Sequence, residues 1–387
     1  MSYPFITTNE AFKAACAEAQ AQPVVGLDTE FVWTKSYYPH LGLLQLGWDR
    51  EHCYLIDPIA VTDASPLAEL LADPNVTKVF HEASSDMPIL MRWCGHAKAP
   101  RAIADTRIAA GFAGLTASLS LARLLLKMLN VALAKTETRT NWLQRPLTPA
   151  QLAYAGDDVT YLPALYASLQ ALLREYGNEG IFAEEMSRYE SLGYYAEIPP
   201  EEYWQRVSRP GFLRFTQQDY AVLQQLAQWR ETLARSKDIT RNRIVPDRLL
   251  ALAAVKHPYT AAEAAQLEGM ANTPAMRYGR NLAEIVTRAM HIPKEQWPVF
   301  VIPRIDQRVL RQASERILAL AAKRAEARHI DPVLVATRRE ADALATHAIN
   351  RDDVSGNPLM NGWRHELLAP AIESICADIA RLKKQKR

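Results

Sequence analysis

Apolar residues run in two rhythms along this chain, and the change of rhythm divides it. Up to about residue 110, short apolar runs alternate with turn-forming clusters: Val24 to Val32, Leu43 to Trp48, His52 to Ile56, Thr77 to His81, and another near Ile103. Runs of this length between turn signals predict strands. Patterns with helical spacing follow Ser65, Ser84 and Ser118. Short strands first, then strands alternating with helices, predict a mixed α/β sheet.

Thr148-Pro149-Ala150-Gln151 predicts the start of a long helix, with Thr as N-cap, Pro at the first helical position and Gln closing a capping box. Leu152, Ala155, Val159, Leu162 and Leu169 give that helix one apolar stripe. The segment Glu197-Ile198-Pro199-Pro200-Glu201-Glu202 reads as a boundary. Beyond about residue 215 the pattern is helical, interrupted at Ile244-Val245-Pro246-Asp247, at His257-Pro258 and between Pro293 and Pro303. A chain of 387 residues exceeds what one core usually supports. The junctions predict an N-terminal α/β domain over 1–200, two all-α helical bundles over 210–292 and 300–382, and a basic tail over 383–387.

Composition narrows the class. Hydrophobic residues make up 49% of the chain, which excludes a largely disordered protein. The N-terminus has no basic stretch followed by an apolar core, and no apolar run approaches the roughly 20 residues a membrane span needs. A soluble, unexported, cytoplasmic protein with no membrane partner is expected. Cys16, Cys53, Cys94 and Cys376 lack the paired spacing of zinc or redox sites and read as reduced thiols. The net charge of +2 conceals an asymmetry. Residues 1–200 hold 15 Lys and Arg against 22 Asp and Glu, a balance of −7, whereas residues 201–387 hold 30 against 21, a balance of +9. The acidic half suits a metal-collecting site and the basic half suits phosphate binding. Arg230, Arg235, Lys237, Arg241 and Arg243 form one candidate phosphate-binding cluster, and Arg304, Arg308 and Arg311 another.

The candidate chemistry starts at Asp28 and Glu30, two carboxylates on an otherwise apolar strand-like run. Residues i and i+2 of a strand face the same way, so both anions are aimed at one volume. That arrangement is costly unless a cation sits between them, and a divalent metal answers it. Asp86 falls at a strand-to-helix junction five residues after His81. Tyr154 and Asp158, spaced i and i+4, share one helix face, while Asp157 points elsewhere. Asp105 ends a strand-like run before Thr106 and reads as a helix cap.

In that order, Asp-x-Glu on a strand, an Asp after a later strand, and Tyr-x-x-x-Asp on a helix resemble the three motifs of the DEDD exonuclease superfamily, tyrosine subtype. Position 153, where the histidine subtype carries His, is Ala153. Asp28-Thr29-Glu30-Phe31, Tyr37-Tyr38-Pro39, Leu44-Gln45-Leu46, Ile103-Ala104-Asp105-Thr106, the run Arg139 to Leu147 and the run Tyr154 to Leu162 are similar to the ribonuclease D family. Trp229-Arg230-Glu231 with Ile244-Val245-Pro246-Asp247 resembles an HRDC domain, and the last block resembles a second copy less closely.

The resemblance implies a ribonuclease H-like N-terminal domain, a mixed sheet flanked by helices. It implies a 3′–5′ exoribonuclease releasing nucleoside 5′-monophosphates, acting on tRNA precursors and other structured RNA, probed here against two alternatives: a DNA 3′–5′ exonuclease and an inactive RNA-binding scaffold. Asp28, Glu30, Asp86 and Asp158 would hold two divalent ions, magnesium or manganese, which demand oxygen ligands. Tyr154 would orient the attacking water, since a phenol of pKa about 10 is a poor base at neutral pH. Glu30 would also contact the terminal 3′ hydroxyl. Phe31, Arg139, Trp142 and Arg145 are further candidate substrate contacts, with RNA also held by the basic helical domains of a monomer.

Overall fold

The computed structural model describes residues 3–133, 140–298 and 305–382. Arg139, Arg304 and the tail 383–387, named above as candidates, lie outside these residues. The chain forms two compact units. One comprises Met1–Phe31, Leu41–Tyr195 and Pro303–Arg387; the other comprises Val32–His40 and Ala196–Ile302.

The acidic part of the first unit contains β1 (Phe5–Ile6), α1 (Asn9–Gln20), β2 (Val24–Val32), β3 (His40–Gly47), β4 (Cys53–Ile56), α2 (Ser65–Ala72), β5 (Thr77–Phe80) and α3 (Ala83–Trp93). β6 (Ile103–Asp105), α4 (Thr106–Phe112), α5 (Leu121–Leu129), α6 (Pro149–Thr160), α7 (Leu162–Glu175) and α8 (Glu179–Ser187) follow. The six strands lie in the order β1-β4-β3-β2-β5-β6. β3 and β4 are antiparallel, whereas β1 with β4, β2 with β5, and β5 with β6 are parallel. Register pairs Gly26 with Val79, and Phe80 with Asp105. The sheet is therefore mixed, with Val25, Leu27, Leu44, Leu46, Leu55 and Val79 fully buried in it.

The capping box at the start of α6 forms as its sequence predicts: Thr148 accepts from the Gln151 amide, and the Gln151 side chain accepts from the Thr148 amide. The single long helix expected from residue 148 is two helices. α6 ends at Thr160 with Tyr161 as its C-cap, and α7 restarts at Leu162. Pro163 is the physical reason, because it has no N–H to continue the ladder and its ring crowds the carbonyl of Val159. The apolar stripe survives the break, with Ala155, Val159, Leu162 and Leu169 buried.

Two glycines set how closely α6 approaches its neighbours. A Cβ on Gly26 would stand 2.7 Å from the Val159 carbonyl oxygen, and one on Gly156 would stand 2.1 Å from the Tyr3 ring. The missing side chain at Gly26 lets β2 and α6 touch backbone to side-chain position. Tyr3 then closes over Gly156 and donates a 2.8 Å hydrogen bond to Asp157. This is the task of Asp157, on the flank of α6.

The second unit is helical: α9 (Gln217–Lys237), α10 (Arg241–Ile244), α11 (Asp247–Lys256), α12 (Ala261–Ala265) and α13 (Gly279–Ala289). Its core includes Leu223, Leu226, Ile244, Leu250, Leu282 and Val286. Three arginines of the expected phosphate-binding cluster are engaged inside this unit. Arg230 is 1% exposed, paired with Asp247 at 2.7 Å and bonded to the Val245 carbonyl. Arg235 and Arg241 converge on the fully buried Glu231 and on the Tyr37 hydroxyl. Lys237 and Arg243 stay exposed.

The last block returns to the first unit as α14 (Gln307–Ala327), α15 (Pro332–Val335), α16 (Arg338–Asn350), α17 (Gly362–Leu368) and α18 (Ala371–Leu382). Trp363 stacks edge-on against Phe112 and donates to Glu185, which also receives Arg364 at 2.8 Å. Leu334 fills the space over Gly111.

Gly26→Ala should lower the unfolding free energy by about 1–3 kcal/mol, because backbone on both sides must move to admit the methyl. Gly180→Ala, with nothing within 4 Å, should leave it unchanged or slightly raised. Urea unfolding of both variants checks this, and equal midpoints for Gly26→Ala and the parent chain would refute the close-approach account.

Candidate active site

β2 carries Asp28 and Glu30 on one face, and α6 brings Asp158 against them. Carboxylate oxygens of these three residues lie within 4.8 Å of one another. They open on a cavity of about 450 Å³ that is also lined by Thr29, His81, Tyr154 and the start of α5, its N-cap Ser120 with Leu121 and Ala122. None of the described lining residues is Lys or Arg.

Asp86 stands in the first turn of α3, 4% exposed, outside that group of three. Its Oδ1 accepts a 2.5 Å hydrogen bond from the Thr29 hydroxyl, so the residue between the two strand acids holds the second motif's carboxylate. The turn leading to Asp86 is strained, since Glu82 adopts φ 82°, a left-handed conformation that costs a side-chain-bearing residue about 1–2 kcal/mol. Asp105 offsets that strain. Its buried carboxylate accepts from the amides of Glu82 at 3.1 Å, Ala83 at 2.8 Å and Arg107 at 2.9 Å, and so caps both α3 and α4. The capping expectation for Asp105 is met.

Electrostatics in this cluster are unfavourable by construction. Burial, then the charges of Asp86, Asp158 and Glu30, push the Asp28 carboxyl well above the usual range. Glu30 is raised to about 8 by burial and then by Asp158 and Asp86. Asp86 and Asp158 are each raised to about 7, again chiefly by burial, with the Thr29 and Tyr154 hydrogen bonds opposing the shift. Tyr154 hydrogen-bonds Asp158 from one turn earlier on α6, and burial beside these acids pushes its phenol up, so it stays protonated. A protonated phenol donates or relays a hydrogen bond and does not act as a base.

The structure places the other candidates elsewhere. Trp142 is 2% exposed and packs on Tyr154 at 6.3 Å between ring centroids, so it supports the tyrosine from beneath and offers no face to a substrate. Arg145 spends all five N–H donors internally, on Asp57 twice and on the carbonyls of Gly42, Trp142 and Gln144. It secures the loop before α6. Phe31 is half-buried, and strand alternation directs it away from the face shared by Asp28 and Glu30.

His81 carries no motif of its own yet lines the cavity. Its ring is fixed by Thr106 Oγ1 at 2.9 Å and by the backbone of Leu119. Burial depresses it to about 4, so it is neutral. The available sequence signal is its position just past β5, because open α/β sheets build sites at the carboxyl ends of parallel strands.

Comparison with known proteins agrees with this geometry. A 3′–5′ exonuclease family model matches residues 3–174 and an HRDC domain model matches residues 219–286. Ribonuclease D of Escherichia coli (strain K12) is 34% identical over 376 residues, covering 97% of this chain and 98% of that protein. Ribonuclease D of Desulfotalea psychrophila is 33% identical over 368 residues, covering 94% and 96%. The crystal structure of the Escherichia coli enzyme, described as an exoribonuclease involved in structured RNA processing, superimposes with a TM-score of 0.88 at 33% identity over 98% of this chain. These matches bear out the resemblance, the α/β-then-helical fold class and the exoribonuclease activity expected from the motifs. The chain belongs to the ribonuclease D family of 3′–5′ exoribonucleases.

Proposed function

We propose that this enzyme shortens RNA one nucleotide at a time from the 3′ end, with Asp28, Glu30, Asp86 and Asp158 holding two magnesium or manganese ions. The observation that carries this reading is the convergence of three carboxylates within 4.8 Å beside a cavity whose described lining residues include no Lys or Arg. The donor set fits the ions, since carboxylate oxygens suit hard divalent metals and the described lining residues include no thiolate and no second imidazole. When bound, such ions supply the charge that activates water and stabilises the departing 3′ oxygen.

The remaining roles fall to the chain's own groups. Tyr154, anchored on Asp158, orients the water from one side of the cavity. Glu30 faces the 3′ end of the RNA, and its carboxylate accepts the terminal hydroxyl. His81, being neutral and held by Thr106 and the Leu119 backbone, shapes the cavity wall without adding charge. All five principal residues come from one chain, so a monomer suffices.

The substrates we infer are tRNA precursors and other structured RNAs. The involvement of the Escherichia coli relative in structured RNA processing supports this, as does the net positive second half. For domains we propose the exonuclease over 1–200, an HRDC domain over 210–292 and an HRDC-like domain over 300–382. The last assignment rests on a repeated element order. A 21-residue helix, a four-residue helix and a longer helix succeed one another in α9, α10 and α11 and again in α14, α15 and α16. No helix among the described residues is long and apolar enough to cross a membrane, and the four cysteines are free thiols, in keeping with a cytoplasmic enzyme.

A time course on 5′-labelled, 3′-extended tRNA and matched single-stranded DNA tests the function. RNA should shorten stepwise with magnesium and not with chelator, and Asp28→Asn and Asp158→Asn should each lower the rate at least a thousandfold while RNA binding persists. Near-parental activity in either variant sinks the site assignment, and equal shortening of DNA sinks the substrate class.

A second test uses stability. In the metal-free protein the unfolded chain ionises its carboxyls near pH 4, while the folded site holds protons until about pH 7 for Asp86 and Asp158 and about 8 for Glu30. Folded pKa values above unfolded ones make stability fall as pH rises between those limits. The rise in melting temperature on adding magnesium should therefore be larger at pH 8 than at pH 5.5, and Asp28→Asn should raise the metal-free melting temperature at pH 8. Equal magnesium shifts at the two pH values would contradict this account.

A further inference from the structure

Ser120, Leu121 and Ala122 form part of the cavity wall, and the segment that leads into them, Gly114 to Leu119, has no catalytic group of its own. Its far end does two things for the site. Leu119 holds the His81 ring through its backbone, and Ser120 N-caps α5, whose first residues, Leu121 and Ala122, line the cavity. Its near end is gripped from the last helical block. Asp331 Oδ2 accepts from Thr116 Oγ1 at 2.8 Å and from the Ala117 amide at 2.8 Å. The Asp331 amide donates to the Gly111 carbonyl at 2.7 Å, and its Oδ1 accepts from Val333, so one residue is fixed at both ends. Arg107 completes the brace by donating to the Ala117 carbonyl at 2.5 Å while pairing with Glu82 in the turn that presents Asp86.

We propose that Asp331 is a positioning residue for the exonuclease reaction. It sets the wall that holds His81 and the start of α5 at the height the RNA terminus requires. The last helical block then has a task at the chemical step, beyond any contact with the body of an RNA. This inference rests on the reading of the cavity as the exonuclease site.

Two hydrogen bonds to one carboxylate oxygen order the segment before substrate arrives. Without them the segment keeps its chain connections but loses its registration. Misplacing a terminal nucleotide by a fraction of an ångström acts on the reacting geometry and so on kcat, with little effect on how an oligonucleotide binds elsewhere.

The test uses the full-length chain, a short 5′-labelled oligoribonucleotide and single-turnover kinetics with magnesium. Asp331→Ala should lower kcat about tenfold with KM changed less than about twofold, and Asp331→Asn, which keeps one acceptor oxygen, should fall between it and the parent. Trp363→Phe removes a bond to Glu185 across the same junction without touching the segment, and should keep parental kcat. A parental kcat in folded Asp331→Ala, or an equal loss in Trp363→Phe, overturns the proposal. Should Asp331→Ala fail to fold, Thr116→Val removes the hydroxyl's bonds to Asp331 and to Ser118 while leaving the Ala117 amide on Asp331; it must still lower kcat about threefold, and a parental value there overturns the proposal as well. Asp158→Asn run in parallel separates the two readings. If that variant is active the site itself is misassigned, and if it is inactive while Asp331→Ala is parental, only the positioning role fails.

Discussion

Everything in the nuclease domain is arranged around the close approach of β2 and α6. Gly26, two residues before Asp28, removes the side chain that would strike the Val159 carbonyl, and Val159 follows Asp158 directly. One absent methyl thus determines the distance between the acids of the strand and the acid of the helix. With them brought within 4.8 Å, each carboxyl is pushed toward its protonated form by burial and by its neighbours. A fold that places like charges together at this separation carries an electrostatic cost in the metal-free state that a cation relieves.

The features legible in the sequence were those whose chemistry is local. β2 runs over the nine residues that the apolar run Val24 to Val32 marked out, and the capping box of α6 follows from four consecutive residues. Asp28 and Glu30 are visible because carboxylates on a buried strand are rare without a function. What the sequence concealed was long-range. Trp142 and Arg145 look like nucleic-acid contacts, as aromatic and basic residues beside a catalytic helix usually do. Yet the cavity over Gly42 and the carboxylate of Asp57, both far away in the chain, absorb them. Their partners lie nearly a hundred residues off, so no window along the chain contains both.

Charge counting misled for a related reason. The second half carries an excess of nine positive charges, but Arg230, Arg235 and Arg241 are committed to Asp247, Glu231 and Tyr37 inside their own unit. Glu231 is fully buried, and its carboxyl is held below its ordinary range because the hydrogen bonds and charges of Arg241, Arg235 and Tyr37 outweigh burial. Such a buried cluster is costly to break by removing one partner, whatever its net worth. Net charge of a domain therefore bounds its field at a distance and says little about which side chains are available at the surface.

A site made of mutually repelling groups cannot hold its own geometry, so the restraint must come from outside it. Three restraints of different kinds are present. Close packing at Gly26 and Gly156 fixes the helix, and Asp105 fixes the strained turn before Asp86 by accepting three amides. Asp331 grips the wall from the last helical block. Packing contacts in the first case and hydrogen bonds in the other two are made without any metal, and so keep their strength when the site is empty. The cluster can then remain under electrostatic stress without collapsing or splaying, and binding a cation relieves that stress instead of having to organise the site first. On this view the exonuclease centre is preorganised by residues that never touch the substrate, and the helical block that supplies Asp331 is as much a part of that centre's framework as the sheet is.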